Sequence, residues 1–187
     1  IKALQASSGG ASTLFDEMRS TFKMTDDFLN APTPFQTSVG GTAAAITYPT
    51  PPQDGTVAGV AKIDIGTATS GAFAGLLTPA DALLLGRGRA RFITRVFIPI
   101  LSTSANRFSL TCGFSDAIGF GTDQVVIAYE ESASTFWRIK TVNNFSASTI
   151  INTSVSVVAN TWYTLSIEVN AEGTNADFYI NNVLVGS

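Results

Sequence analysis

Polar and apolar positions alternate with a period of two along most of the chain after Val57, and the alternation is broken by short Gly-, Asn- and Pro-bearing stretches. In the C-terminal stretch Leu165, Ile167 and Val169 alternate with Ser166 and Glu168, a polar turn spans Ala171 to Asn175, and Phe178 and Ile180 follow. This pattern predicts a hairpin of two half-buried strands. Asn181-Asn182 reads as a second two-residue turn before Val183-Leu184-Val185. Arg89 to Leu101 alternates Phe92, Thr94, Val96 and Ile98 with Arg91, Ile93, Arg95 and Phe97. Pro99 has no N–H to give a ladder, so that strand should end or lie at an edge there. Further strands are expected over Gly41 to Tyr48, Val57 to Ile65, Asn106 to Phe114, Gln124 to Glu130, Phe136 to Val142 and Ile150 to Val158, with a turn at Asn143-Asn144. Prolines mark loops between Ala31 and Phe35 and again at Pro49, Pro51 and Pro52. Many short strands, regular turns and no alternation of strands with helices point to an all-β, two-sheet antiparallel sandwich. Its expected core holds Phe92, Val96, Leu110, Ile127, Ile139, Leu165, Ile167, Phe178 and Ile180.

Residues 1–25 follow a different pattern. Ile1 to Ser12 is polar and linker-like, and Leu14, Phe15, Met18 and Phe22 fall at helical spacing between Thr13 and Met24. The segment is expected to be a linker with a short amphipathic helix or a partly ordered lead-in, and residues 26–187 form the sandwich domain. Such a short helix needs a surface to bury against. Docking on a neighbouring subunit gives a homo-oligomer, with a trimer favoured. Docking on its own sandwich gives a monomer. The chain opens on Ile1 rather than Met, and is expected to have been cut from a longer polypeptide.

Composition narrows the chemistry. Of the 187 residues only 13% are charged, against about 25% in an ordinary soluble domain. The net charge of −3 excludes a global nucleic-acid footprint. No run of apolar residues is long enough for a membrane helix. There is no histidine, which removes the commonest general base and metal ligand. The one cysteine, Cys112, lies in an apolar run and reads as a small buried hydrophobe.

A retaining or inverting glycosidase needs two carboxylates facing one another. Glu130 and Glu131 are neighbours on a strand and point to opposite faces. The remaining acids are scattered, so no catalytic residue is assigned and no hydrolytic activity is expected. The Gly-rich loop from Phe114 to Asp123 brings Asp116 and Asp123 within reach of one cation. It is equally an ordinary connection, and no cofactor other than a candidate Ca2+ there is expected. Arg87, Arg89 and Arg91 stand two apart, with Arg95 beyond. Arg89, Arg91 and Arg95 are candidates for reading an anionic sugar, or else form a solvated face paired with acids such as Glu130 or Asp177. Gly86 and Gly88 make the start of this stretch turn rather than strand. Tyr129 and Trp137 are candidate sugar-stacking aromatics, whereas Trp162 is expected to pack into the core.

Several segments together resemble a known family: Asp27-Phe28, Arg107-Phe108 with Cys112 to Asp116, Phe136 to Ile139, and above all Trp162-Tyr163-x-Leu165-x-Ile167-x-Val169 running on to Val185. They are similar to concanavalin A-like (laminin G-like) lectin and glucanase jelly-roll domains, of the kind found on tailed-phage structural proteins. The resemblance covers residues 26–187. The E-x-D-x-x-E carboxylate strand of the glucanases of this fold is absent. The resemblance implies a jelly roll and a non-enzymatic virion structural or adhesion module at the virion surface: a head decoration, head fibre or tail fibre. Its implied partners are other virion proteins and host or environmental glycans, with no membrane insertion. The alternative is a carbohydrate-binding module or degenerate catalytic domain of a secreted polysaccharide-active enzyme.

Overall fold

The structure is a computed structural model that describes residues 35–41, 43–49, 59–65, 72–78, 83–104, 107–117, 121–130, 134–144 and 147–187. The expected lead-in helix and the 25/26 boundary lie outside these residues. The chain divides into two units, Ile1–Leu83 and Leu84–Ser187. Among the described residues every element is a strand and every pairing is antiparallel.

In the first unit β1 (Gln36–Gly40) pairs with β4 (Phe73–Leu77), and β2 (Ala45–Thr47) with β3 (Lys62–Asp64). Gly40 sits opposite Phe73, whose ring fills the space a Cβ at Gly40 would need. An aromatic thus covers a strand glycine that has no side chain of its own to pack.

The second unit holds β5 (Ala90–Ile98), β6 (Ser109–Ser115), β7 (Gln124–Glu130), β8 (Phe136–Asn143), β9 (Ala147–Ser156), β10 (Thr161–Val169), β11 (Ala176–Ile180) and β12 (Val183–Gly186). Strand β5 stops one residue before Pro99, as the missing donor requires. One sheet has the order β12-β11-β10-β5 and the other β6-β7-β8-β9. Strand β5 lies against β6, β10 against β7, and β12 against β9, so the sheets stack strand over strand. One hydrophobic cluster draws on both: Ile98, Tyr163, Leu165, Ile167, Phe178 and Ile180 from the first, and Ile127, Tyr129, Trp137 and Ile139 from the second. This is the two-layer arrangement of a β-sandwich. Six of the nine expected core residues are fully buried, and Phe92, Val96 and Leu110 pack against them.

Two local features hold the layers in register. The Tyr163 side chain crosses the core, where its hydroxyl accepts a bond from Val158 N–H (2.8 Å) and donates to Ser156 O (3.2 Å). That ties the β9–β10 connection to the interior. At Gly113 (φ +142°) an added Cβ would stand 2.5 Å from Val125 O and 2.7 Å from Ile167 Cδ1. Only glycine fits both the backbone conformation and the close approach of the facing sheet.

Candidate functional site

Strand parity decides which side chains are available for binding. In β5 and β10 the residues 92, 96, 98, 163, 165, 167 and 169 face the core. Their neighbours Arg91, Ile93, Arg95, Phe97, Trp162, Thr164, Ser166 and Glu168 lie on the opposite side, where Arg91, Ile93, Arg95, Phe97 and Glu168 are exposed, Trp162 and Thr164 are half-buried and Ser166 is buried. The β5–β10 register arranges them in rows: Arg91 opposite Glu168, Ile93 opposite Ser166, Arg95 opposite Thr164, and Phe97 opposite Trp162. Strand β11 extends two rows, with Asp177 beside Glu168 and Tyr179 beside Ser166.

One end of this face is aromatic. The Phe97 and Trp162 rings lie 5.1 Å apart, tilted by 41°. The Arg95 guanidinium stands 5.2 Å from the centre of the Trp162 ring, in cation–π contact. Phe97 is 41% exposed and Ile93 53%, and Trp162 is half-buried. Both strands are held by the full nine-residue ladder, so the platform sits on rigid backbone. The other end of the face is an ion pair, Arg91 Nε to Glu168 Oε1 at 3.0 Å. Both partners are well exposed, so the pair adds little stability.

The candidate residues separate on this geometry. Arg91 and Arg95 share the outer face of β5, but Glu168 takes up only the first. Arg95 has no carboxylate partner among the described residues. Arg87 and Arg89 precede the strand, in a stretch bent by Gly86 (φ +83°) and Gly88 (φ +144°), and do not extend the row. Tyr129 and Trp137 are corrected: both are core residues, Trp137 with no exposed surface. They are in phase with Ile127 and Ile139, and their rings pack edgewise and tilted with Phe108, Tyr163 and each other. Neither can stack on a ligand. Trp162 is corrected in the other direction, because Tyr163, not Trp162, is in phase with Leu165 and Ile167. The missed residues are thus Trp162 and Phe97, and the signals that could have found them were the parity of β10 for the first and of β5 for the second.

Asp116 and Asp123 do converge, on each other's loop. Asp116 accepts bonds from the Thr122 hydroxyl and from Asp123 N–H (3.2 Å), while Asp123 accepts from Asn144 N–H (2.9 Å). The Thr122 and backbone bonds hold the Asp116 carboxyl below its ordinary range. Both carboxylates thus serve as caps for the β6–β7 hairpin and its neighbour. Among the described residues no three acidic or sulfur side chains gather as a metal site would require. Glu130 is held by Arg138 at 2.5 Å, in a half-buried cross-strand pair. The Cys112 residue keeps some accessible surface, but its thiol lies in the core layer and burial pushes it up to about 12. That desolvation governs its chemistry and leaves it inert at neutral pH.

A cavity of about 230 Å³ opens between the sheets beside β8, β9 and β11. Lys140, Thr141, Thr149, Ile151, Asn175 and Phe178 are among its lining residues, with no Asp or Glu side chain. It is a gap at the edge of the core and lacks the convergent titratable groups of a reaction site.

Compared with known proteins, residues 56–185 match the family model described as "SO2946-like, C-terminal domain". The curated proteins and the solved structures contain no match to the chain. Phe97, Arg95 and Trp162 all fall inside the matched span. Since that span is well over half of the chain, the protein belongs to the SO2946-like family and carries its C-terminal domain.

Proposed function

We propose that this protein is a non-enzymatic adhesion module of a virion surface (a head decoration, head fibre or tail fibre), built on a concanavalin A-like jelly roll and binding glycans. The observation that carries the reading is the outward platform of Trp162, Phe97 and Arg95 on the β5–β10 face. A pyranose has one face of C–H groups that is apolar and faintly positive. An indole ring offers an apolar, electron-rich face to match it. The resemblance in the Trp162 to Val185 segment supports the jelly roll and the virion setting. The order of strands, with β10 returning to pair with β5 after the β6–β9 meander, agrees with that fold. The same platform would serve a carbohydrate-binding module of a secreted polysaccharide-active enzyme, which is the second reading.

The module works as a homo-oligomer, with a trimer favoured, alongside other virion proteins. Light scattering on the chain should give a mass above the monomer, and a monomer at every concentration would reject this assembly. For adhesion, the test is binding to an array of host and environmental polysaccharides by the wild type and by Trp162→Ala. Binding that is lost in the variant is expected. No binding by the wild type, or binding untouched by the substitution, would sink the reading.

A further inference from the structure

We infer that the ligand of this face is an acidic glycan, with its carboxylate taken by Arg95 while an adjoining sugar ring lies on Trp162 and Phe97. This rests on the adhesion reading above and names the class of ligand.

The argument starts from how the charges on the sheet are spent. Arg91 is neutralised by Glu168, which sits beside Asp177 in the next strand. Arg95 is opposite Thr164, a neutral residue, in a row that ends at the Asn181-Asn182 turn. That turn is fastened there by Asn181 N–H to Thr164 O (2.8 Å) and by Thr164 N–H to Asn181 Oδ1 (2.9 Å). Glu168 lies four residues further along β10, about 13 Å at the usual ~3.3 Å per residue. Among the described residues the face thus has one arginine paired with a carboxylate at its charged end and one without such a partner at its aromatic end.

Arg95 is also held in a useful way. Its guanidinium is placed beside Trp162 by the cation–π contact, and no carboxylate among the described residues engages it. The guanidinium N–H donors form the planar fork that matches a carboxylate in two parallel bonds. A uronate or sialate unit supplies both halves of this recognition, an apolar ring face and a carboxylate a few ångströms away. The size fits as well. Two strands are about 10 Å across, the scale of one or two sugar rings. A stable protein partner needs roughly 800 Å² on each side. On this face it would have to cover the Arg91–Glu168 pair and Asp177 too, so a second copy of the chain is the weaker occupant.

The probes are polygalacturonate, alginate, hyaluronan and polysialate, each with its methyl-esterified form, in which the backbone is kept and the charge removed. Calorimetric titration is run on the wild type, Arg95→Gln and Trp162→Ala, with thermal melts to establish that each is folded. The wild type should bind at least one acid form tighter than its ester, by about tenfold or more. Arg95→Gln should erase that preference, leaving acid and ester bound alike at whatever affinity remains, and Trp162→Ala should lose both forms. Equal binding of acid and ester, or a preference that survives Arg95→Gln, overturns this inference and leaves glycan adhesion standing. No binding to any polysaccharide, on these probes or the wider array, overturns the adhesion reading itself. Self-association that Trp162→Ala abolishes would make the face an interface between copies and likewise overturn the inference.

Discussion

Trp162 and Tyr163 are adjacent in sequence and face opposite sides of one strand. Tyr163 is 3% exposed and bonded at its tip, whereas Trp162 stands outside beside Phe97 and Arg95. Substitutions should separate the two faces. Truncating Leu165 or Phe178 to Ala should cost about 2–5 kcal/mol through lost burial and a residual cavity, read as a lower urea midpoint at unchanged slope. Trp162→Ala should cost less stability than either, since Trp162 is half-buried against Phe97 and Arg95 at the sheet surface and leaves no cavity in the core. Acid should act through Asp116. Its folded-state carboxyl titrates below the unfolded value because of the Thr122 bond first and the backbone bonds second. The contribution is therefore complete above the ordinary carboxylate range and is lost as pH falls through the lowered value. Urea midpoints recorded down that range should drop less for Asp116→Asn than for the wild type, and parallel curves would refute this. The nine core residues were legible because each belongs to an alternating run. The aromatic site was not, because a large ring beside a strand entry reads as core until its phase against Leu165 and Ile167 is counted. The same count moves Tyr129 and Trp137 inside.

Strands from β5 onward were legible from the chain, since branched and aromatic residues alternate there and turns carry their own markers. Asn181 and Asn182 have φ of +51° and +65°, the pair of left-handed residues a two-residue hairpin turn needs to match the twist of its strands. Asn tolerates that region, whereas a β-branched residue does not. Asn182→Gly should leave stability unchanged or raised, and Asn182→Val should lower it by about 1–2 kcal/mol. Equal melting temperatures for the two would exclude this account of the turn. The first unit was less legible. The strand expected over Gly41 to Tyr48 is the shorter β2, and that over Val57 to Ile65 is represented by β3, while β1 and β4 escaped notice. Their segments are rich in Gly, Ala, Ser and Thr, and β4 carries Gly75 in its middle. Small side chains bury little area, so the period-two signal fades even where the ladder forms.

At the scale of the whole molecule, the expected absence of hydrolysis can be tested directly. Glu130 is engaged by Arg138, and Asp116 and Asp123 by loop bonds. Incubation with β-glucans, galactans and bacterial capsule polysaccharides should release no reducing ends. Sustained release that vanishes in a Glu130 or Asp123 variant would refute this. The pairing of β5 with β10 has a further consequence, for how the chain reaches its native state. Ile98 meets Thr161 and Ala90 meets Val169, so β5 is made early and finds its partner only after the whole β6–β9 meander has been threaded between them. The meander pairs only neighbours and can organise locally. Closing β5 onto β10 costs the entropy of a long loop, and ladders of that kind form in milliseconds to seconds rather than microseconds. In the interval Phe92 and Val96 on one side and Ile93 and Phe97 on the other stand on an unpaired strand, the sort of segment that captures a copy of itself. Refolding yield should therefore fall steeply with protein concentration, and a chain halted before Thr161 should be recovered as aggregate, its sticky strand still waiting for a partner that the ribosome has not yet made.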